Sequence, residues 1–215
     1  MTASVRQRPR AAARRGLVLG LVGLFGLVAG CGGDDDESIE LLGVTREPVL
    51  DVASTELPAA KDGTAVTMKA AEDGLMVVYF GYTSCPDICP TTMSDLARAV
   101  NDLPADEAER VAVAFATVDP ERDTAEVLEG YLGSFFDDGV ALRTDDADAL
   151  AEAAGAFGVE YDVADHDAGD RDYDVAHTAV TYVVDDTGRV VVEWPFGFAA
   201  QDMTTDLNTL LQEDT

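Results

Sequence analysis

Two largely apolar runs in the middle of the chain constrain its fold more than any other feature. Leu75–Phe80 and Val111–Val118 are bounded by turn residues, and continuous runs of this kind are typical of strands buried on both faces. Between them, Met93, Leu96 and Val100 recur at helical spacing. Because a buried strand, a helix and a second buried strand favour parallel pairing, the sequence predicts an α/β domain.

Shorter elements complete the predicted fold. Residues 55–66 indicate an N-terminal β-hairpin, and residues 179–194 indicate a second hairpin around the turn Asp185–Gly188. The remaining segments are predicted as helices at 124–135, 146–157 and the C-terminus, a short strand at 140–143 and a polar loop at 161–174. The order of elements predicts a central mixed sheet flanked by helices, with the N-terminal hairpin as an addition.

Two cysteines lie where the first buried strand ends and the helix begins. Cys85 and Cys89 are separated by three residues, and Pro90 suits the first helical position, which places Cys89 near the cap. Unpaired N–H groups and the helix dipole there favour a thiolate, so we expect a lowered cysteine pKa. A cysteine pair at this point of such a sheet is the arrangement of the thioredoxin fold. A structural disulfide is the alternative, but so short a loop removes little chain entropy.

The chain has two histidines, and their sequence contexts differ. His166 lies in the aspartate-rich loop and is predicted to be a solvated surface residue. His177 directly precedes a buried strand, where a histidine can serve for capping or packing. In a thioredoxin-like topology, however, this position faces the cysteine loop. Ordinary thioredoxins carry a cis-proline there, whereas this chain has no proline between Pro120 and Pro195.

The N-terminal residues resemble a bacterial lipoprotein signal. Arginines precede the uncharged run Gly16–Gly30, which is shorter than the roughly 20 apolar residues that a membrane span needs. Cys31 follows small residues and precedes an acidic segment. We therefore expect a signal peptide at 1–30, lipidation of Cys31, an acidic flexible tether at 31–46 and the folded domain at 47–215. The alternative is a retained membrane anchor with an inert Cys31.

Composition excludes one class of partner. The chain has 14 basic and 42 acidic side chains, a formal net charge of −28. Five of the basic residues lie within residues 1–30, which leaves 9 basic and 42 acidic groups, or −33, for the rest. Such a surface repels phosphate backbones, so no nucleic-acid partner is expected. The export signal predicts a domain held by its lipid on the extracytoplasmic face of the cell membrane, where disulfides can persist.

Three sequence blocks together resemble the signatures of the Sco/SenC family. They are Phe80–Pro90, Val118–Thr124, and Tyr173–His177 followed by Val183–Gly188. The resemblance extends from about Glu47 to the C-terminus, and the segment Pro58–Gly63 of the first hairpin is only loosely family-like.

This resemblance implies a membrane-tethered, thioredoxin-like copper metallochaperone that assists assembly of the dinuclear copper centre of cytochrome c oxidase subunit II. Carried over by position, the ligands of Cu(I) or Cu(II) would be Cys85, Cys89 and His177, and the block Asp119–Asp123 would shape the rim of the site. Two thiolates and an imidazole suit copper, whereas a structural zinc site needs four protein ligands. Met93 is a further candidate soft ligand, but its helical spacing favours core packing.

The same cysteine pair supports a second interpretation, a thiol–disulfide oxidoreductase that acts on the cysteines of the oxidase copper site. That role would make the protein an enzyme, whereas copper delivery would not. The three-residue spacer and the histidine in place of the cis-proline argue against a general thioredoxin. A peroxidase of the peroxiredoxin type carries Thr or Ser three residues before its reactive cysteine, where this chain has Tyr82. The sequence names no copper-loading protein.

Overall fold

The computed structural model describes residues 40–213, and Cys31 and the signal segment lie outside this range. The strands are β1 (Glu56–Pro58), β2 (Ala65–Thr67), β3 (Leu75–Gly81), β4 (Val111–Thr117), β5 (Val140–Leu142), β6 (Tyr161–Val163), β7 (Val175–His177), β8 (Val180–Val184) and β9 (Val190–Pro195). The helices are α1 (Ile88–Asn101), α2 (Ala105–Ala108), α3 (Ala125–Leu132), α4 (Ala147–Ala156) and α5 (Ala200–Glu213).

Five strands form the central sheet in the order β5-β4-β3-β8-β9. β3 is parallel to β4 and antiparallel to β8, and all seven residues of β3 are buried, as its continuous apolar run predicts. Helix α1 packs against α5, where the Thr204 hydroxyl donates to the Ala99 carbonyl at 3.1 Å. This mixed sheet flanked by helices confirms the predicted fold class. Within the described residues, none of the helices combines the length and the apolar composition needed to cross a bilayer.

The predicted N-terminal hairpin is present as β1 and β2, which pair antiparallel. It attaches to the edge of the central sheet, since the Ala60 N–H donates to the Ala141 carbonyl at 2.8 Å. The hairpin thus shields part of the β5 edge, which would otherwise present unpaired backbone groups.

The predicted polar loop at 161–174 is partly wrong. Its first three residues form β6, which pairs with β7 in a separate two-stranded sheet, with Tyr161 opposite His177. The sequence does not predict this pairing, because strands of only three residues are too short to show an alternation of apolar and polar residues. The pairing matters for function, since His177 is the last residue of β7.

Residues 42–46 contact the domain, although the sequence assigns them to the tether. Val44 bridges to Glu193 of β9, and Arg46 donates to both carboxylate oxygens of Glu193 at 2.7 and 2.9 Å. The buried Asp206 accepts from the N–H groups of Leu42 and Gly43 at 2.7 and 2.9 Å. Contacts with the domain therefore begin before residue 47.

Candidate metal centre

The topology brings the cysteine loop and His177 together from 88 residues apart. The loop follows β3, and β8 runs antiparallel to β3 with Tyr79 opposite Thr181. Residues that enter β8 therefore lie beside residues that leave β3. Two residues separate His177 from the start of β8, so it lies at the end of the sheet from which the cysteines project.

Three potential metal ligands converge at this end of the sheet. One ligand atom each from Cys85, Cys89 and His177 lies within 4.8 Å of the others. The Cys89 Sγ atom is 3.4 Å from Nε2 of His177. Both cysteines are free thiols and buried, with Cys89 fully enclosed and Cys85 9% exposed. Two sulfur atoms and one imidazole at this spacing form a soft donor set that suits copper.

A backbone hydrogen bond orients the imidazole of His177. Its Nδ1 atom lies 3.0 Å from the carbonyl oxygen of Thr178. A carbonyl can only accept, so Nδ1 carries the proton, and Nε2 keeps its lone pair on the side of Cys89. Metal-binding histidines are usually held this way, with one nitrogen bound to the protein and the other free for the ion.

Two residues of β3 form the floor of the site. The buried hydroxyl of Tyr79 donates to Cys89 Sγ at 3.8 Å. Gly81 leaves room for this arrangement, because a Cβ atom there would lie 3.1 Å from Cys89 Sγ and 2.8 Å from Cε1 of Tyr79. The Cys89 sulfur thus lies between the hydroxyl of Tyr79 and the backbone of Gly81.

The expected lowering of the cysteine pKa is wrong for Cys89. Helix α1 begins at Ile88, two residues before Pro90, and the Cys89 N–H donates to Cys85 Sγ at 3.3 Å. The N–H of the first turn therefore serves Cys85, and burial raises the pKa of the Cys89 thiol to about 12. Burial also lowers the pKa of His177, which favours the neutral, ligating imidazole.

Comparison with known proteins agrees with this geometry. The family model described as SCO1/SenC matches residues 58–212. The chain belongs to the SCO1/SenC family. A SCO2-like protein of Rickettsia prowazekii is 34% identical over 129 residues, which are 60% of this chain and 62% of the relative. The matched region thus spans somewhat less than two thirds of that curated relative.

Solved Sco structures share the fold. Apo Sco1 from Thermus thermophilus is 34% identical, with a TM-score of 0.67 over 81% of this chain and 96% of that one. Copper-bound ScoI from Bradyrhizobium japonicum is 31% identical, with a TM-score of 0.61 over 72% of this chain and 95% of that one. Both likenesses support a thioredoxin-like architecture for this SCO1/SenC chain.

The other residues singled out from the sequence lie apart from the three ligands or outside the described range. Met93 is fully buried in the core, as its helical spacing predicts. The prediction that His166 is a solvated surface residue is wrong, since its side chain is only 15% exposed and stacks on Tyr173. The aspartate-rich sequence around His166 predicts exposure to solvent, and it gives no sign that the imidazole stacks on the ring of Tyr173.

The block Asp119–Asp123, predicted to shape the rim, anchors the loops around the site. The buried carboxylate of Asp123 accepts from the Thr83 N–H at 3.0 Å and from the Thr117 hydroxyl at 2.6 Å. Asp123 thereby ties the start of the cysteine loop to the end of β4. Burial raises the pKa of Asp123 even with these donors.

Sequence reasoning missed the aromatic surroundings of His177. The rings of Tyr79 and Tyr82 meet the imidazole edge-on, with centroids 5.9 and 5.8 Å away. A tyrosine inside a buried strand was the available signal, because its hydroxyl needs a hydrogen-bond partner there. Burial raises the pKa of Tyr79, which keeps its hydroxyl a donor toward the sulfur.

Proposed function

We propose that this SCO1/SenC protein carries one copper ion between Cys85, Cys89 and His177 and delivers it to the dinuclear copper centre of cytochrome c oxidase subunit II. The observation that carries the proposal is the convergence of the three ligand atoms within 4.8 Å. Copper is the cargo here, and a soft set of two sulfurs and one imidazole fits it. Family membership and the copper-bound relative from Bradyrhizobium japonicum support the same assignment.

The position of the site suits transfer of the ion to another protein. An open cavity of about 880 Å³ lies against His177, with Glu160 and Asp162 in its lining. Neither Cys85 nor Cys89 lines this cavity, so it lies beside the three ligands and offers a recess where a partner could dock. The acidic surface, with 42 carboxylates in the chain, favours a partner with a cationic docking face.

Copper titration under anaerobic conditions tests this function. We expect the reduced protein to bind one copper per chain tightly and the protein with an oxidised Cys85–Cys89 pair to bind none, because thiolates are the ligating form. Bound copper should also raise the melting temperature, since a ligand that prefers the folded state stabilises that state. Equal binding by the reduced and oxidised forms would contradict ligation by the cysteines.

Thiol–disulfide exchange with the oxidase cysteines is the second candidate. One observation favours it: Cys85 is more accessible than the enclosed Cys89, so the pair offers an outer attacking sulfur and an inner resolving one. The two functions separate in a His177→Ala variant. Disulfide exchange should persist in that variant, whereas Cu(II) binding should weaken.

Lipidation of Cys31, on which removal of residues 1–30 depends, is the membrane attachment that we propose. The small residues before this cysteine and the acidic segment after it support the proposal. We expect the native protein to partition into detergent and a Cys31→Ser variant to retain residues 1–30, as mass spectrometry would show. Normal cleavage of that variant would contradict the lipoprotein assignment.

A further inference from the structure

The loop between β6 and β7 contains an aromatic stack. The ring of His166 lies parallel to the ring of Tyr173, with an interplanar angle of 12° and centroids 3.6 Å apart. The guanidinium carbon of Arg122 lies 3.8 Å from the centroid of the same tyrosine ring. Two groups this close to one ring centre cannot share a face, so Tyr173 is held between them.

Polar contacts hold Tyr173 at two further points. Its hydroxyl donates to Asp119 at 2.7 Å, and its carbonyl oxygen accepts from Nη1 of Arg122 at 2.9 Å. Asp119 and Arg122 form a buried ion pair with each other. The imidazole of His166 is held as well, because its Nε2 atom lies 2.9 Å from a carboxylate oxygen of Glu121. These contacts therefore join the loop after β4 to the loop before β7.

The same guanidinium reaches the surroundings of His177. Arg122 lies 5.5 Å from the ring centroid of Tyr82. The Tyr82 hydroxyl donates to the Val175 carbonyl at 3.2 Å, and the Tyr82 ring meets the His177 ring edge-on. Tyr173, Val175 and His177 are alternate residues of one short segment. Contacts that start at Arg122 reach each of the three.

His177 needs such support because the central sheet does not fix it. Within residues 40–213, β7 pairs with β6 alone, over three residues on each strand. A two-stranded sheet of this size is marginally stable by itself. Several aspartates in the connecting loop also repel one another.

We propose that the stack of His166, Tyr173 and Arg122, called here the tyrosine latch, positions His177 for the metal. This inference rests on the proposed copper site. The three residues act through the backbone of β7 and through Tyr82. They are positioning residues, since none of them supplies a ligand atom.

Four variants test the latch: Tyr173→Ala, Tyr173→Phe, His166→Ala and, as a control, Asp165→Ala at an exposed position of the same loop. The chain has only two histidines, so the imidazole NMR signals of the metal-free protein are assigned by the His166→Ala spectrum alone. Cu(II) and Cu(I) affinities and the nitrogen hyperfine coupling of bound Cu(II) are measured on the same samples.

We expect Tyr173→Ala to shift or broaden the His177 imidazole signals and to weaken Cu(II) binding about 10- to 100-fold, the usual loss when a residue behind a metal ligand is changed. Cu(I), which two thiolates can hold, should lose less. Tyr173→Phe keeps the ring and should recover most of the affinity. His166→Ala should show the same changes at smaller size, and Asp165→Ala should match the unaltered protein.

Unchanged His177 signals together with a Cu(II) affinity within about twofold of the unaltered protein, far below the expected loss, would overturn the latch. If Tyr173→Ala does not fold, His166→Ala decides by the same criteria. Failure of the unaltered protein to bind copper would overturn the proposed function instead. The imidazole spectra of the metal-free variants would still decide whether the latch holds His177.

Discussion

Replacement of Cys89 by alanine is expected to abolish tight copper binding. The remaining thiolate and imidazole leave the ion open to water, so the loss should exceed the about 10- to 100-fold that is usual when only a residue behind a ligand is changed. Cys85→Ala should behave alike. Anaerobic competition titration measures the Cu(I) affinity. The absorption spectrum of the Cu(II) form should lose sulfur-to-copper charge-transfer intensity in both variants.

The matched control for this experiment is Met93→Leu. Met93 is a fully buried sulfur-bearing residue one helical turn after Cys89, and leucine is close to it in volume. We expect its copper affinity to equal that of the unaltered protein. A loss as large as that of Cys89→Ala would make the thioether a ligand. Retention of tight binding by both cysteine variants would contradict the proposed site.

Replacement of His177 by alanine is expected to weaken Cu(II) binding much more than Cu(I) binding. Two thiolates alone can hold Cu(I) in near-linear geometry, whereas Cu(II) requires further donors. The nitrogen hyperfine coupling of the imidazole should disappear from the Cu(II) spectrum. Removal of the ring also deletes contacts with Tyr79 and Tyr82, so thermal unfolding has to be recorded beside the titrations.

His177→Phe separates the two effects of that change. Phenylalanine keeps an aromatic ring between the two tyrosines but supplies no nitrogen. We expect it to lose Cu(II) affinity as His177→Ala does while it retains more thermal stability. Unchanged affinity for both copper oxidation states in both variants would favour thiol–disulfide exchange over copper delivery.

The strands and helices around the site follow from patterns that the sequence displays locally. β3 and β4 are continuous apolar runs, and α1 has apolar residues at helical spacing. Because the helical spacing of apolar residues begins just after them, Cys85 and Cys89 could be placed at the start of a helix. His177 could be named because the predicted order of strands puts its position opposite the cysteine loop.

Other features of the site follow from contacts that no local pattern encodes. The high pKa of Cys89 results from burial against Tyr79 and β3, which outweighs the effect of the helix terminus. The pairing of β6 with β7 joins segments with no apolar periodicity. Both depend on the assembled domain.

The sequence by itself determined the order of the elements of the central sheet and its main helices, the parallel centre of the sheet and the three side chains proposed as ligands. Hydrophobic periodicity and short spacings, which neighbouring residues define, were sufficient for the main elements and for the cysteine pair, whereas the resemblance to the Sco/SenC family supplied the full ligand set with His177. Only the tertiary structure decided how His177 is held, since Arg122 donates a hydrogen bond to the carbonyl of Tyr173, 51 residues later in the chain. Tyr173 contacts Arg122 through its ring face and its carbonyl oxygen, and these contacts form only when folding brings the loop after β4 beside the segment before β7.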